Sequence, residues 1–124
     1  MVLTHDFRET VQARARREPE YRELLLGGAA ECLLAGEIAV ARIKMRDYII
    51  ATVGFEQLGA VAGKPPEILA EMLGPQGDPS AGDLLEVIAC TLRHQGLALQ
   101  VGTVRAENDR DGEGRVVAES AAAR

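Results

Sequence analysis

Residues 55–73 read FEQLGAVAGKPPEILAEML. Two short blocks with apolar spacing flank a glycine and two prolines, which predicts two short helices bent sharply against each other. Such a bend makes definite demands. The first helix needs an apolar residue facing the core, then a small residue where the helices touch. The turn needs a residue that tolerates positive φ, and the second helix needs apolar residues three apart. Leu58, Gly59, Gly63, Leu69 and Met72 meet these demands in order. Pro66 would open the second helix with its φ already set. Glu67, Ala70 and Glu71 would then face outward. The pattern fits a helix-turn-helix. It also fits an ordinary αα-hairpin inside a bundle.

The flanking sequence is helical in character. Residues 6–18 place Asp6 and Glu9 near the start and Arg14, Arg16 and Arg17 near the end, complementing a helix dipole. Pro19 stops that segment and can begin the next. In residues 19–35, Tyr21, Leu24, Leu25, Gly28, Ala29, Cys32 and Leu33 recur at spacings of three and four. Gly27 and Gly28 weaken this helix or admit a close neighbour. Residues 37–53 put Ile38, Ala41, Met45, Tyr48, Ile49 and Thr52 on one stripe, with Arg42, Lys44, Arg46 and Asp47 largely off it. The loop GPQGDPS, residues 74–80, ends in Ser80, with Asp83 three residues on as a variant capping box. Leu84, Leu85, Val87, Ile88, Thr91 and Leu92 form the apolar side of the helix that follows. Residues 97–101, LALQV, alternate like a short strand, which needs a partner in this chain or in a second copy.

Composition agrees with helices. Apolar residues make up 47% of the 124 residues and aromatics only 3%, with no Trp. Leu, Ile, Val, Ala and Met must therefore build the core, which suits helix-on-helix packing. The net charge of −5 is uneven: residues 1–54 are neutral, 55–101 carry −4 and 102–124 carry −1. This acidity opposes strong nonspecific binding to nucleic acid but leaves room for a local basic face. Cys32 and Cys90 fall in apolar helical patterns and read as buried reduced thiols. The start, MVLTHDFRET, lacks the apolar region of a signal peptide, and no apolar run reaches membrane-spanning length. The expected location is the cytoplasm.

Catalytic chemistry is not in view. His94 sits near a helix end, where a cation is favoured, and His5 lies in an expected mobile terminus. GPQGDP lacks the Lys-Ser/Thr of a phosphate loop. No metal, cofactor or catalytic residue is predicted, and an enzyme is not expected.

The run LGAVAGKPPEILAEMLGPQGDPSAGDLLEVI resembles the addiction-module antidote proteins, HigA-type antitoxins with a lambda-repressor-like domain. The Leu73-Gly74-Pro75-Gln76-Gly77-Asp78-Pro79 loop and Gly96-Leu97-Ala98-Leu99 carry the likeness, which covers about residues 53–101. It implies an all-α, lambda-repressor-like helix-turn-helix domain at 55–101 with a closing helix and a short C-terminal strand. An N-terminal helical extension, 1–54, would pack on it, and 102–124 would be a flexible tail. It also implies a homodimeric repressor of its own operon, bound to double-stranded operator DNA and to a cognate toxin. The DNA-facing positions would be Lys64, Pro65, Pro66, Glu67, Ala70 and Glu71. Only Lys64 has the chemistry that phosphate contact favours, although Glu can accept a bond from cytosine. Arg42, Lys44 and Arg46 on the preceding helix offer a shifted reading face or ordinary surface charge. The acidic second helix suggests the other function class, a module that binds a basic protein partner.

Overall fold

Pro19 lacks the N–H that would continue a helix, and it sits where a new helix has no use for one. It separates α1 (His5–Arg17) from α2 (Pro19–Leu34) in a computed structural model that describes residues 5–106. Four helices follow: α3 (Ile38–Ala51), α4 (Gly54–Ala62), α5 (Pro66–Leu73) and α6 (Ala81–Gln95). Helices are thus the only regular elements among the described residues, and His5 lies in α1 rather than in a mobile terminus. Ser80 and Asp83 close a full capping box on α6, with bonds of 3.0 and 3.1 Å. Residues 97–106 form neither helix nor strand, so the alternation at Leu97, Leu99 and Val101 has no ladder partner within the described chain. The expected tail lies outside the described residues from 107 onward.

The third helix is the centre of the fold. It touches α1, α2, α4, α5 and α6, whereas α5 touches only α3 and α4. One continuous apolar cluster runs from Ala15 and Leu26 through Met45, Tyr48 and Ile49 to Leu58, Leu69, Leu73 and Leu84. Each fully buried Leu or Ile removes enough apolar area from water to contribute about 1.5–3 kcal/mol. The N-terminal helices therefore share the core with the C-terminal ones.

Central placement explains where the amphipathic reading of α3 fails. A helix with five neighbours has little solvent face, so residues off the main stripe are covered too. Asp47 is 1% exposed, and Arg42, Lys44 and Arg46 are half-buried. In α2 the stripe is rotated: Leu26 is buried, while Leu24 is 72% exposed. Leu85 in α6 is exposed as well. Gly28 admits the long side chain of Lys44, whose Nζ lies 3.1 Å from where a Cβ would be, rather than a neighbouring backbone. Cys90 is buried and Cys32 half-buried, and both are free thiols.

Candidate functional site

The corner between α4 and α5 is built from glycine and proline. Gly63 adopts φ 72°, ψ 33°, a left-handed turn that a Cβ would penalise. Its N–H donates to the Gly59 carbonyl at 2.8 Å, and the Lys64 N–H donates to the same oxygen at 3.0 Å. A Cβ at Gly59 would stand 2.6 Å from the Lys64 carbonyl oxygen and 3.3 Å from the Pro66 nitrogen. The two chain segments therefore touch backbone to backbone. Pro65 is extended at the N-cap and Pro66 opens α5.

Two leucines one turn apart hold α5 down. Leu69 and Leu73 are 1% and 0% exposed, and Leu58 of α4 is fully buried beneath them in the same cluster. Met72 is only partly buried against that cluster, so Leu73, not Met72, is the deeper anchor alongside Leu69. Opposite these anchors, Glu67 and Glu71 are exposed and Ala70 is half-buried. Ile68, absent from the expected face, is 51% exposed on it. The outward surface of α5 is thus acidic and apolar.

Its basic complement is thin. Lys64 Nζ lies 4.0 Å from Glu86 Oε1 of α6, with both side chains well exposed, a pairing worth at most about 1 kcal/mol. Pro65 and Pro66 remove two backbone donors from the start of α5, and Ile68 and Leu69 N–H groups are bonded to the Pro65 carbonyl. A helix start that would otherwise offer several free N–H groups to an anion offers few here.

The three basic residues of α3 are half-buried rather than exposed beside this face. Arg42 donates through Nη1 to the carbonyls of Leu73 and Gly74 at 2.9 and 2.7 Å, closing the C-terminal end of α5. Lys44 lies over α2 at Gly28. Arg46 lines a cleft with Arg8, Arg42, Ile43, Asp47 and Pro75. Asp47 itself accepts from Gln12 Nε2 at 2.9 Å and from Arg8 Nη1, tying α1 to α3. Burial pushes the Asp47 carboxyl above its ordinary range, against the hydrogen bond from Gln12 and the charges of Arg8 and Arg46. Burial likewise raises the Tyr48 hydroxyl. Reading each helix alone missed the Arg8–Gln12–Asp47 cluster. The spacing of Arg8 and Gln12, one turn apart, was its only trace.

Among the described residues, no group of His, Cys, Asp and Glu side chains is placed to hold a metal ion. No described helix is long and apolar enough to cross a membrane. Comparison with protein-family models, with curated proteins and with solved structures finds no match to the chain.

Proposed function

We propose that α4, the turn and α5 form a helix-turn-helix corner, and that the protein is a DNA-binding regulator of transcription, an antitoxin-like repressor of its own operon. One observation carries this reading. Gly59 and Gly63 allow α4 and α5 to meet closely at the corner, while Leu69 and Leu73 hold α5 by one side, leaving Glu67, Ile68 and Glu71 exposed on the other. A helix presented in this way fits the major groove, and two copies would place their second helices one helical turn of DNA apart. Lys64 would contact phosphate, while Glu67 and Glu71 would read cytosine amino groups. The segment 97–101 would pair with its mate in a homodimer as the short strand that has no partner among the described residues. Leu99 and Val101 are 38% and 74% exposed in the single chain, which supports that role. The test is a gel shift with the DNA upstream of the protein's own gene. A complex at low salt that weakens only modestly at high salt is expected. No complex at low salt counts against the reading.

A second reading rests on the same helix. Exposed Glu67, Ile68 and Glu71 together make a surface that suits a basic protein partner with an apolar centre, such as a toxin. Under that reading the corner presents α5 to protein. Reversing the charge of Glu67 and Glu71 should abolish capture of the neighbouring gene's product while the fold persists; unchanged capture argues against it.

A further inference from the structure

The cleft between α1, α3 and the loop after α5 has a volume of about 230 Å³ and is lined by Arg8, Arg42, Ile43, Arg46, Asp47 and Pro75. Three guanidinium groups face one carboxylate. Arg8 is matched by Asp47, whose other oxygen is taken by Gln12. Arg42 is matched in part by two carbonyls at the negative end of α5. Arg46 has neither: among the described residues no carboxylate lies within 4.0 Å of it, and it acts on Asp47 only through space. The Nε atoms of Arg8 and of Arg46 are both buried without a hydrogen-bond partner. Buried donors are rarely left unsatisfied, and charged ones least of all.

We propose that this cleft binds a small phosphate-class oxyanion, free phosphate or the phosphate of a small ester. The two Nε–H groups are closed to solvent, so a ligand in the cleft would meet the outer parts of the guanidinium groups that line it. Water there would leave the surplus positive charge in place, whereas an oxyanion offsets it. The volume equals that of about eight waters and falls below the roughly 300–1,000 Å³ of sites for drug-sized ligands, so the ligand is small. The donors come from two helices, Arg8 on α1 against Arg42 and Arg46 on α3. A tetrahedral anion offers oxygens in all those directions, whereas a planar carboxylate offers two in one plane. The site stands apart from the DNA reading, since it uses neither the exposed face of α5 nor a second copy.

The test is a titration of the whole chain with inorganic phosphate at constant ionic strength, following the Nε–H resonances of Arg8 and Arg46. A saturable shift of both is expected. In a thermal-shift series, Arg46→Met should weaken the apparent phosphate affinity about tenfold or more, while Arg93→Met on α6 should leave it unchanged. Absence of a saturable shift in the wild-type chain overturns the proposal, as does an equal response in Arg46→Met. A response to duplex DNA with none to free phosphate overturns it too, and makes the DNA backbone the source of the anion. Should Arg46→Met fail to fold, the wild-type resonances decide alone.

Discussion

The same substitution at two glycines should have opposite signs. In a helix interior, Gly→Ala ordinarily stabilises by about 1 kcal/mol, because Ala loses less backbone freedom on folding. Gly27 lies in α2 with nothing within 4 Å of where a Cβ would stand, so Gly27→Ala should yield that full gain. Gly59 lies in α4, where the new Cβ would meet the Lys64 carbonyl oxygen at 2.6 Å, about 0.8 Å inside ordinary contact at 3.4 Å. That oxygen is backbone, one residue from a proline pair, so it cannot rotate away as a side chain would. Relief requires α5 to slide off the corner, against the anchors Leu69 and Leu73. Overpacking of this kind costs about 1–3 kcal/mol, and a rigid backbone neighbour places it at the upper end. After the helix gain is subtracted, Gly59→Ala should destabilise by about 2 kcal/mol. For a domain of this size that lowers Tm by roughly 8 °C, whereas Gly27→Ala should raise it by roughly 4 °C. Calorimetry or circular dichroism on both variants reads the difference. A Gly59→Ala chain as stable as Gly27→Ala would mean that α4 and α5 do not meet backbone to backbone, and the corner would be lost with that contact.

Asp47 gives a pH signature whose sign can be worked out. Its folded-state pKa is raised above the usual 3.8, chiefly by burial, so the folded protein holds that proton more tightly than the unfolded chain. Its contribution to stability is therefore fully present below about 3.8 and is lost as pH rises through the folded value. The stability of the wild type relative to Asp47→Asn should fall across that window in urea titrations. A difference that grows with pH would mean that Arg8 and Arg46 outweigh burial. Ser80→Ala removes the hydroxyl half of the α6 capping box and should cost about 1 kcal/mol in thermal unfolding, with a loss near zero counting against that cap. Arg42→Met strips the donor from the Leu73 and Gly74 carbonyls and should cost about 1.5–3 kcal/mol, with faster amide hydrogen exchange in α5 than in α2. Uniform exchange across the helices would show that Arg42 does not hold α5.

Local punctuation was legible in the sequence, and what depended on neighbours was not. Pro19, Gly63, Pro66, Ser80 and Gly96 each fix a chain end by their own covalent chemistry, and the helix boundaries follow them closely. Gly59 was legible for the same reason, since a small residue beside an apolar one before a turn marks a close contact. Asp47, Arg42 and Arg46 were not, because their setting depends on how many helices surround α3. A single-helix wheel assumes one dry side and one wet side, and α3 is covered from several directions. Leu24 and Leu26 exchange places for a related reason: spacings of three and four define a stripe to within about one residue, and the neighbours choose its centre. The alternation of residues 97–101 describes what the segment can pair with, and a pairing partner is not a property of the segment alone.

How the cations are used bears directly on the proposed regulator. Arg8 faces Asp47, Arg22 donates to the Ala15 and Arg16 carbonyls, Arg42 closes α5, and Lys64 stands beside Glu86. Arg14 pairs with Glu18 and lies over the Tyr21 ring, and Arg17 approaches the same carboxylate. Six of the described basic side chains are thus engaged within the chain, and the face that α5 presents holds Glu67 and Glu71 with only Lys64 nearby. With about one phosphate contact per copy, a dimer would show a salt dependence of log K against log salt near −2, where heavily phosphate-contacting repressors approach about −10. Affinity would then rest on base contacts and on the dimer rather than on backbone charge. A measured slope near −2 with sequence discrimination fits an acidic reading helix. A steep slope would place the DNA on some other, more basic surface of the chain and remove α5 from the interface.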